Sequence, residues 1–247
     1  MKTALITGAS SGIGKALSYK FASENYNLII VARRADSLEE IKKDIESKYA
    51  VKVQVEPCDL GKEGNAQALY DKVKSTHIDV WFNNAGFGDY GMPWELGLSK
   101  AEAMIDINIK ALTSLSLLYI KDNVDKDVTL INTASIGGYT QLDFAVTYCA
   151  TKFYVASFTE GLALAVKNKK MRVKVLAPGA TETEFVGQAN GAISGDDLFT
   201  PDMFISAEKM AGFAYDLFLS DKVLGIVNDK NEFEIKDAIY PSAAYFG

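Results

Sequence analysis

The sequence predicts an α/β fold of one domain, a doubly wound, mostly parallel sheet of seven strands with helices on both faces. Three observations carry that expectation. Short apolar runs alternate with longer amphipathic stretches, the βαβα order of a doubly wound sheet. Several runs are rich in β-branched residues and lack clean polar alternation, as parallel strands covered on both faces require. The 247 residues, 48% of them hydrophobic, suit one undivided domain, since such folds commonly run to about 250 residues.

The first strand is TALIT (3–7), followed by a helix over 12–24. NLIIVA (27–32) and a helix over 36–48 come next, with Asp36 as the expected N-cap before SLEE. VKVQVE (51–56), a helix over 63–75, IDVWFN (78–83) and a helix over 99–122 follow. DVTLINTAS (127–135) leads into a helix over 146–168. RVKVLAP (172–178), a helix over 206–220 and LGIVND (224–229) complete the seven strands. Segment 182–205 is irregular, rich in Gly and Asp, with scattered aromatics. Loops of that length in compact domains are often lids or binding loops. No repeat, low-complexity tract or linker divides 1–247, and the sequence assigns no definite role to 231–247.

A net charge of −6 argues against nucleic-acid binding through a strongly basic face. The two cysteines, Cys58 and Cys149, suggest neither a disulfide framework nor a metal-ligand spacing, so a reducing, cytoplasmic setting is expected and no metal site. The single histidine, His77, reads as a strand-entry surface residue. No uninterrupted apolar run reaches the roughly 18 residues of a membrane span, so no membrane partner is expected. The opening MKTALITGAS reads as a strand ending at Thr7-Gly8, not a signal-peptide core.

In doubly wound sheets, ligands sit beyond the carboxyl ends of the strands. TGASSGIG (7–14) follows the first strand there. Gly8, Gly12 and Gly14 allow a sharp turn and close approach of a pyrophosphate, and the next helix offers free N–H groups and a partial positive charge. The spacing is Gly-x3-Gly-x-Gly, not the commoner Gly-x-Gly-x2-Gly. The second strand ends in Arg33 and Arg34, where an NAD-preferring fold places an acid. An arginine fork suits a 2′-phosphate, so NADP(H) is expected over NAD(H). Two solvated arginines at a strand end are the plainer reading, for Arg34 above all.

TYCATKFYVASF (147–158) places Tyr148 and Lys152 one helical turn apart. Taken alone, two side chains lying along apolar surface with wet tips explain the pair as well as chemistry does. Taken with the motifs before and after it, the chain resembles the short-chain dehydrogenase/reductase superfamily, with its Rossmann-type fold, from residue 3 to about 230. The resemblance rests on TGASSGIG, CDL (58–60), NNAG (83–86), DINIKA (106–111), NTASIGG (132–138), Tyr-x3-Lys and PGATETE (178–184), in that order. It implies catalytic Asn108, Ser135, Tyr148 and Lys152. It implies cofactor contacts from Gly8, Ser10, Ser11, Gly12, Ile13 and Gly14, from Arg33 and Arg34, and from Asp59 and Leu60 near the adenine. Asn84, Ala85 and Gly86, Tyr148 and Lys152, and Pro178, Gly179, Thr181 and Thr183 complete the implied set. Relatives preferring NADP often carry a basic residue where this chain has Ser11, so the phosphate is expected on Arg33 with help from Ser10.

The chemistry expected is hydride transfer between NADP(H) and a carbonyl or secondary alcohol, with Tyr148 as acid and base. Free tyrosine has a pKa of about 10, and lowering it by about 3 units needs roughly 4 kcal/mol. One ammonium about 4 Å away supplies that order of energy at an effective dielectric of about 20. Lys152 is therefore expected to lower Tyr148. The resemblance implies that Lys152 also holds the nicotinamide ribose, Ser135 the substrate oxygen, and that Asn108 anchors a relay water through its backbone. Segments 87–96, 137–145 and 182–205 should border the substrate. They hold Phe87, Tyr90, Trp94, Tyr139, Phe144, Phe185, Phe199 and Phe204 but no arginine or lysine, which points to a neutral substrate. The apolar stripes of 99–122 and 146–168 suggest a homodimer or homotetramer. An NAD-dependent alcohol dehydrogenase of the same family and a non-catalytic NADP-binding regulator are the competing readings.

Overall fold

The structure, a computed structural model, describes residues 1–182 and 203–241. Its first half runs Thr3–Thr7 (β1), Gly12–Ser23 (α1), Asn27–Ala32 (β2), Ala35–Lys48 (α2), Val53–Pro57 (β3), Asn65–Val73 (α3) and Val80–Asn83 (β4). Leu98–Ile105 (α4), a π-helical turn over Asp106–Ala111 and Leu112–Asn123 (α5) form one long helix. Thr129–Thr133 (β5), a 3₁₀ turn over Ile136–Gly138, Val146–Ala165 (α6) and Arg172–Ala177 (β6) follow. Thr181–Glu182 (β7) and Ile205–Ser206 (β8) pair with each other, and Ala207–Leu219 (α7), Leu224–Val227 (β9) and Phe233–Lys236 (β10) end the fold.

One sheet holds eight strands in the order β10-β9-β6-β5-β4-β1-β2-β3. Every pairing in it is parallel except β9 with β10. The strand order reverses between β1 and β4, which puts a crevice at their carboxyl ends. The two-residue strand period divides the core. Ala4 and Ile6 face a layer with Leu17 and Phe21 of α1, Leu38 of α2 and Met210 and Leu217 of α7. Leu5 faces the opposite layer with Leu69 of α3, Leu115 and Tyr119 of α5, and Trp81. Between β4 and β5 runs a buried polar ladder. Asn83 Nδ2 donates to Asn132 Oδ1 (3.0 Å) and to Ser116 Oγ (3.1 Å). Trp81 donates to Asn83 Oδ1 (2.8 Å), and Asn132 donates to Thr159 (3.0 Å).

The structure departs from the sequence expectations in four places. The sheet has an eighth strand, β10, within the segment that had no assigned role. Asn231 takes a left-handed φ of 59°, and Asn228 Oδ1 accepts from the Lys230 and Glu232 amides, closing a tight hairpin. Phe233 of that strand stacks on Phe213, with centroids 4.6 Å apart. Asp36 is not the N-cap of α2; Arg34 holds that position, and Asp36 lies in the first turn, where an acid suits the helix dipole. The helix expected over 99–122 contains the π-helical turn. Finally, Leu98–Asn123 as one helix is long and apolar enough to cross a membrane by length and composition. Here it lies against the sheet through buried Leu112, Leu115 and Tyr119.

Candidate active site

The crevice opens into a cavity of about 510 Å³ lined by the turns that follow β1, β2, β3, β4, β5 and β6. The first turn is built for close approach. Gly8 and Gly12 have φ of 70° and 52°, which side chains with a Cβ rarely adopt. A Cβ at Gly14 would run into the Gly8 carbonyl oxygen. Thr7 Oγ1 accepts from the amides of Asn84 and Ala85, both at 2.9 Å, which locks this turn to the end of β4. Ser11 precedes α1 in extended conformation and makes no side-chain cap bond to it. The amides of the first turn of α1 thus face the cavity wall formed by Ser10, Ser11, Gly12 and Ile13.

Arg33 and Arg34 are exposed at the cavity mouth and both line it. Arg34 reaches back to the first turn, donating to Ser10 Oγ at 3.2 and 3.3 Å and to its carbonyl at 3.4 Å. It is Arg34, expected as the more plainly solvated of the two, that makes this link. Asp59 and Leu60 line the same end, and Asp59 Oδ1 accepts from the Gly61 amide at 3.2 Å. At the other end, Pro178, Gly179 and Thr181 line the cavity, with Thr181 donating to the Gly179 carbonyl at 3.1 Å. Thr183 lies outside the described residues. A glycine cradle, a helix N-terminus, two arginines and a long cavity between strand ends fit a dinucleotide phosphate in this crevice.

Ser135, Tyr148 and Lys152 meet in the middle of the cavity wall. Ser135 ends the stretch after β5 and caps the 3₁₀ turn, its Oγ accepting from the Gly137 amide at 3.1 Å. The Ser135 hydroxyl faces the Tyr148 phenol closely enough to favour its ionised form. Gly137 passes over the Tyr148 ring, where a Cβ would already touch it. Lys152 is buried one turn along α6, and its ammonium donates to the Thr133 carbonyl at 3.0 Å. Asn108, on the π-helical turn, sits behind Gly86. Its amide donates to the Phe87 carbonyl (2.9 Å) and to Thr151 (3.0 Å) and accepts from the Phe87 amide (3.1 Å). Turns of this kind inside α-helices are frequent at functional sites.

A model of the family described as short chain dehydrogenase matches residues 2–193. The chain belongs to the short-chain dehydrogenase family. It is therefore an oxidoreductase acting on hydroxyl and carbonyl groups with a nicotinamide dinucleotide. It is 33% identical over 193 residues to the NADP-dependent 3-hydroxy acid dehydrogenase of Schizosaccharomyces pombe, covering 74% of this chain and 73% of that one. It is 31% identical over 180 residues to a 7beta-hydroxysteroid dehydrogenase of Clostridium sardiniense, covering 72% and 69%. A solved short-chain dehydrogenase from Sphingobium yanoikuyae, in complex with NADPH, superposes with a TM-score of 0.84 at 27% identity, covering 92% of this chain and 87% of that one.

Electrostatics in this short-chain dehydrogenase differ from the sequence expectation. Burial pushes the Tyr148 phenol well above its ordinary value, Tyr90 adds in the same sense, and the nearby Ser135 hydroxyl pulls against them. Burial draws Lys152 down to about 8. The ammonium lies over the Tyr148 ring, 5.8 Å from its centroid. Desolvation is thus the first cause of both shifts.

The substrate end also differs. Phe87 and Tyr90 line the cavity, joined by Ala103, Ile107, Leu142 and Ile136, which the sequence did not single out. Tyr90 packs edge-on against Tyr148, with centroids 6.2 Å apart. Trp94 is 79% exposed. Phe144 packs behind Tyr90, Tyr139 turns away to stack on Tyr240, and Phe204 is off the wall. Phe185 and Phe199 lie outside the described residues. Thr7, Thr133 and Thr151, which hold Asn84, Lys152 and Asn108, were also not foreseen. Their signal was only closeness in the sequence to Gly8, Ser135 and Lys152, next to the first and last and two residues before Ser135. His77 is exposed, 3.5 Å from Asp79, and both cysteines are free thiols. Among the described residues no group of acidic, His and Cys side chains could hold a metal.

Proposed function

We propose that this enzyme uses NADP(H) in preference to NAD(H) to interconvert a neutral ketone or aldehyde and the corresponding alcohol. The observation that carries the reading is the meeting of Ser135, Tyr148 and Lys152 on the wall of a cavity whose substrate end is apolar. When bound, the reduced nicotinamide supplies the hydride. The residues of the chain supply position and the proton. Ser135 holds the carbonyl oxygen, and Tyr148, kept protonated by burial, donates to that oxygen. Lys152 would hold the nicotinamide ribose, and Asn108 keeps the turn after β4 in register with α6 through Phe87 and Thr151. The glycine turn and the amides of α1 would hold the pyrophosphate, and Arg33 and Arg34 the 2′-phosphate, with Asp59 near the adenine.

Among the described residues, the substrate end offers Phe87, Tyr90, Ile107 and Leu142 and no cation apart from Lys152. Asp89, the acid next to Tyr90, is buried and paired with Lys100 at 2.6 Å. Recognition by a substrate phosphate or carboxylate is therefore disfavoured, and an apolar carbonyl compound fits. We read the enzyme as a homodimer or homotetramer of the cytosol. The test is a spectrophotometric screen of ketones, aldehydes and secondary alcohols against NADPH, NADH, NADP and NAD. Turnover of apolar ketones with NADPH is expected. Activity confined to anionic substrates, or to NAD(H), would overturn the reading.

A further inference from the structure

Outside the cavity, one buried charge has no place in that chemistry. Glu160, three turns beyond Tyr148 on α6, is 4% exposed. Its Oε1 accepts from the Tyr139 hydroxyl at 2.7 Å. Its Oε2 accepts from the backbone amides of Ile239 and Tyr240, both at 2.8 Å. Three donors converge on one buried carboxylate, and no ion pair to it exists among the described residues. A buried carboxylate is tolerated only when its oxygens are satisfied in this way. The chain after β10 is thus fastened to α6 by its own main chain.

The same segment then reaches the catalytic turn. The Tyr240 ring stacks on Tyr139, with centroids 5.5 Å apart. The Tyr240 hydroxyl donates to the Gly138 carbonyl at 2.7 Å. Gly138 closes the turn that Ser135 opens, its amide donating to the Ser135 carbonyl at 2.9 Å. Gly138 also lies so close to α6 that a Cβ there would stand 2.6 Å from the Lys152 carbonyl oxygen. A continuous path of hydrogen bonds and rings runs from Glu160 through Tyr240 to the turn carrying Ser135.

We infer that Glu160 and Tyr240 are positioning residues, and that residues 237–241, which follow β10, are a clasp setting the Ser135 hydroxyl against Tyr148. The inference rests on the proposed roles of those two residues. Glu160→Gln replaces one acceptor oxygen with an N–H group in a site of three donors. Tyr240→Phe removes only the bond to Gly138 and leaves the stack. Neither residue lines the cavity.

The experiment measures kcat, substrate KM, NADPH affinity by fluorescence and amide hydrogen exchange in both full-length variants. In Glu160→Gln, exchange over residues 135–140 should speed up while β1 and α1 stay protected. Turnover should fall about 10- to 100-fold, the scale of a slight misplacement of a catalytic group, with KM and NADPH affinity within about twofold. Tyr240→Phe should lose kcat in the same sense but less, and it decides the matter if Glu160→Gln does not fold. Unchanged exchange over 135–140, or faster exchange with unchanged kcat, would overturn the clasp. If the unmodified enzyme turns over no carbonyl compound, the proposed function fails instead, and exchange alone then decides whether the clasp orders the turn.

Discussion

The Lys152 ammonium gives its hydrogen bond to the Thr133 carbonyl, 3.0 Å away, and lies 5.8 Å from the centre of the Tyr148 ring. It is held by the end of β5. Burial draws it down to about 8 while raising the phenol. The lysine is then the first of the pair to lose its proton as pH rises. Carbonyl reduction should be flat near neutrality and decline as pH rises through about 8, when Lys152 becomes neutral. Lys152→Arg, if active, should shift that limb upward because a guanidinium keeps its charge. A rate profile flat up to about pH 10, where free tyrosine titrates, would contradict this.

Tyr148→Phe keeps the ring that Gly137 and Tyr90 pack against and removes the proton. Turnover should drop at least about 100-fold, the low end for a positioned acid or base. NADPH affinity, read by fluorescence titration, should barely move. Substantial turnover with cofactor bound would show that another group carries the proton.

NADP(H) should bind at least about tenfold more tightly than NAD(H), equivalent to about 1.4 kcal/mol. Arg33→Asp should reverse the order by setting repulsion where attraction stood. Arg34→Ala should weaken NADP(H) and also loosen the first turn, since Arg34 bonds Ser10. Equal affinities by calorimetry in the unmodified enzyme would remove the basis for both variants.

The outer faces of α5 and α6 remain apolar. Leu117, Tyr154 and Leu164 are 50%, 38% and 47% exposed, and Tyr154 stacks on Phe158. A closed symmetric oligomer through these helices is expected. Light scattering should return a dimer or tetramer at micromolar concentration, and Tyr154→Arg should shift it toward monomer. A monomer in the unmodified protein would end this reading.

The fold was legible because buried parallel strands announce themselves as apolar runs. NLIIVA is β2 to the residue, and TALIT is β1. β10 was not legible, because FEIK alternates apolar and charged residues at a sheet edge and reads as a polar tail. Phe233 and Ile235 show their partners only once the hairpin closes. Motif order brought Ser135, Tyr148 and Lys152 to one wall, whereas the list of aromatics could not reveal direction. Tyr139 and Trp94 stand in the expected segments but point elsewhere. Spacing also carried no information on depth of burial, and depth decided the sense of the Tyr148 shift. The π-helical turn at Asn108 left no mark in an otherwise ordinary helical stretch.

The ladder of amides between β4 and β5 bears on how the chain finds this arrangement at all. Strands buried on both faces carry little record of which residue should oppose which, because sliding one by two positions keeps every side chain on its own face. VWFN and TLINT are such strands, and apolar contact alone would tolerate several alignments. Asn83 opposite Asn132 removes that freedom. A slip of two would set Asn83 against Leu130 and strand polar groups in the dry interior, at about 1–3 kcal/mol for each group left unpaired. Misaligned intermediates would thus be short-lived during folding. Asn83→Leu paired with Asn132→Leu should give a chain slower to reach a single native pairing, and less stable as well, because the buried Trp81 N–H and Ser116 hydroxyl lose their partners.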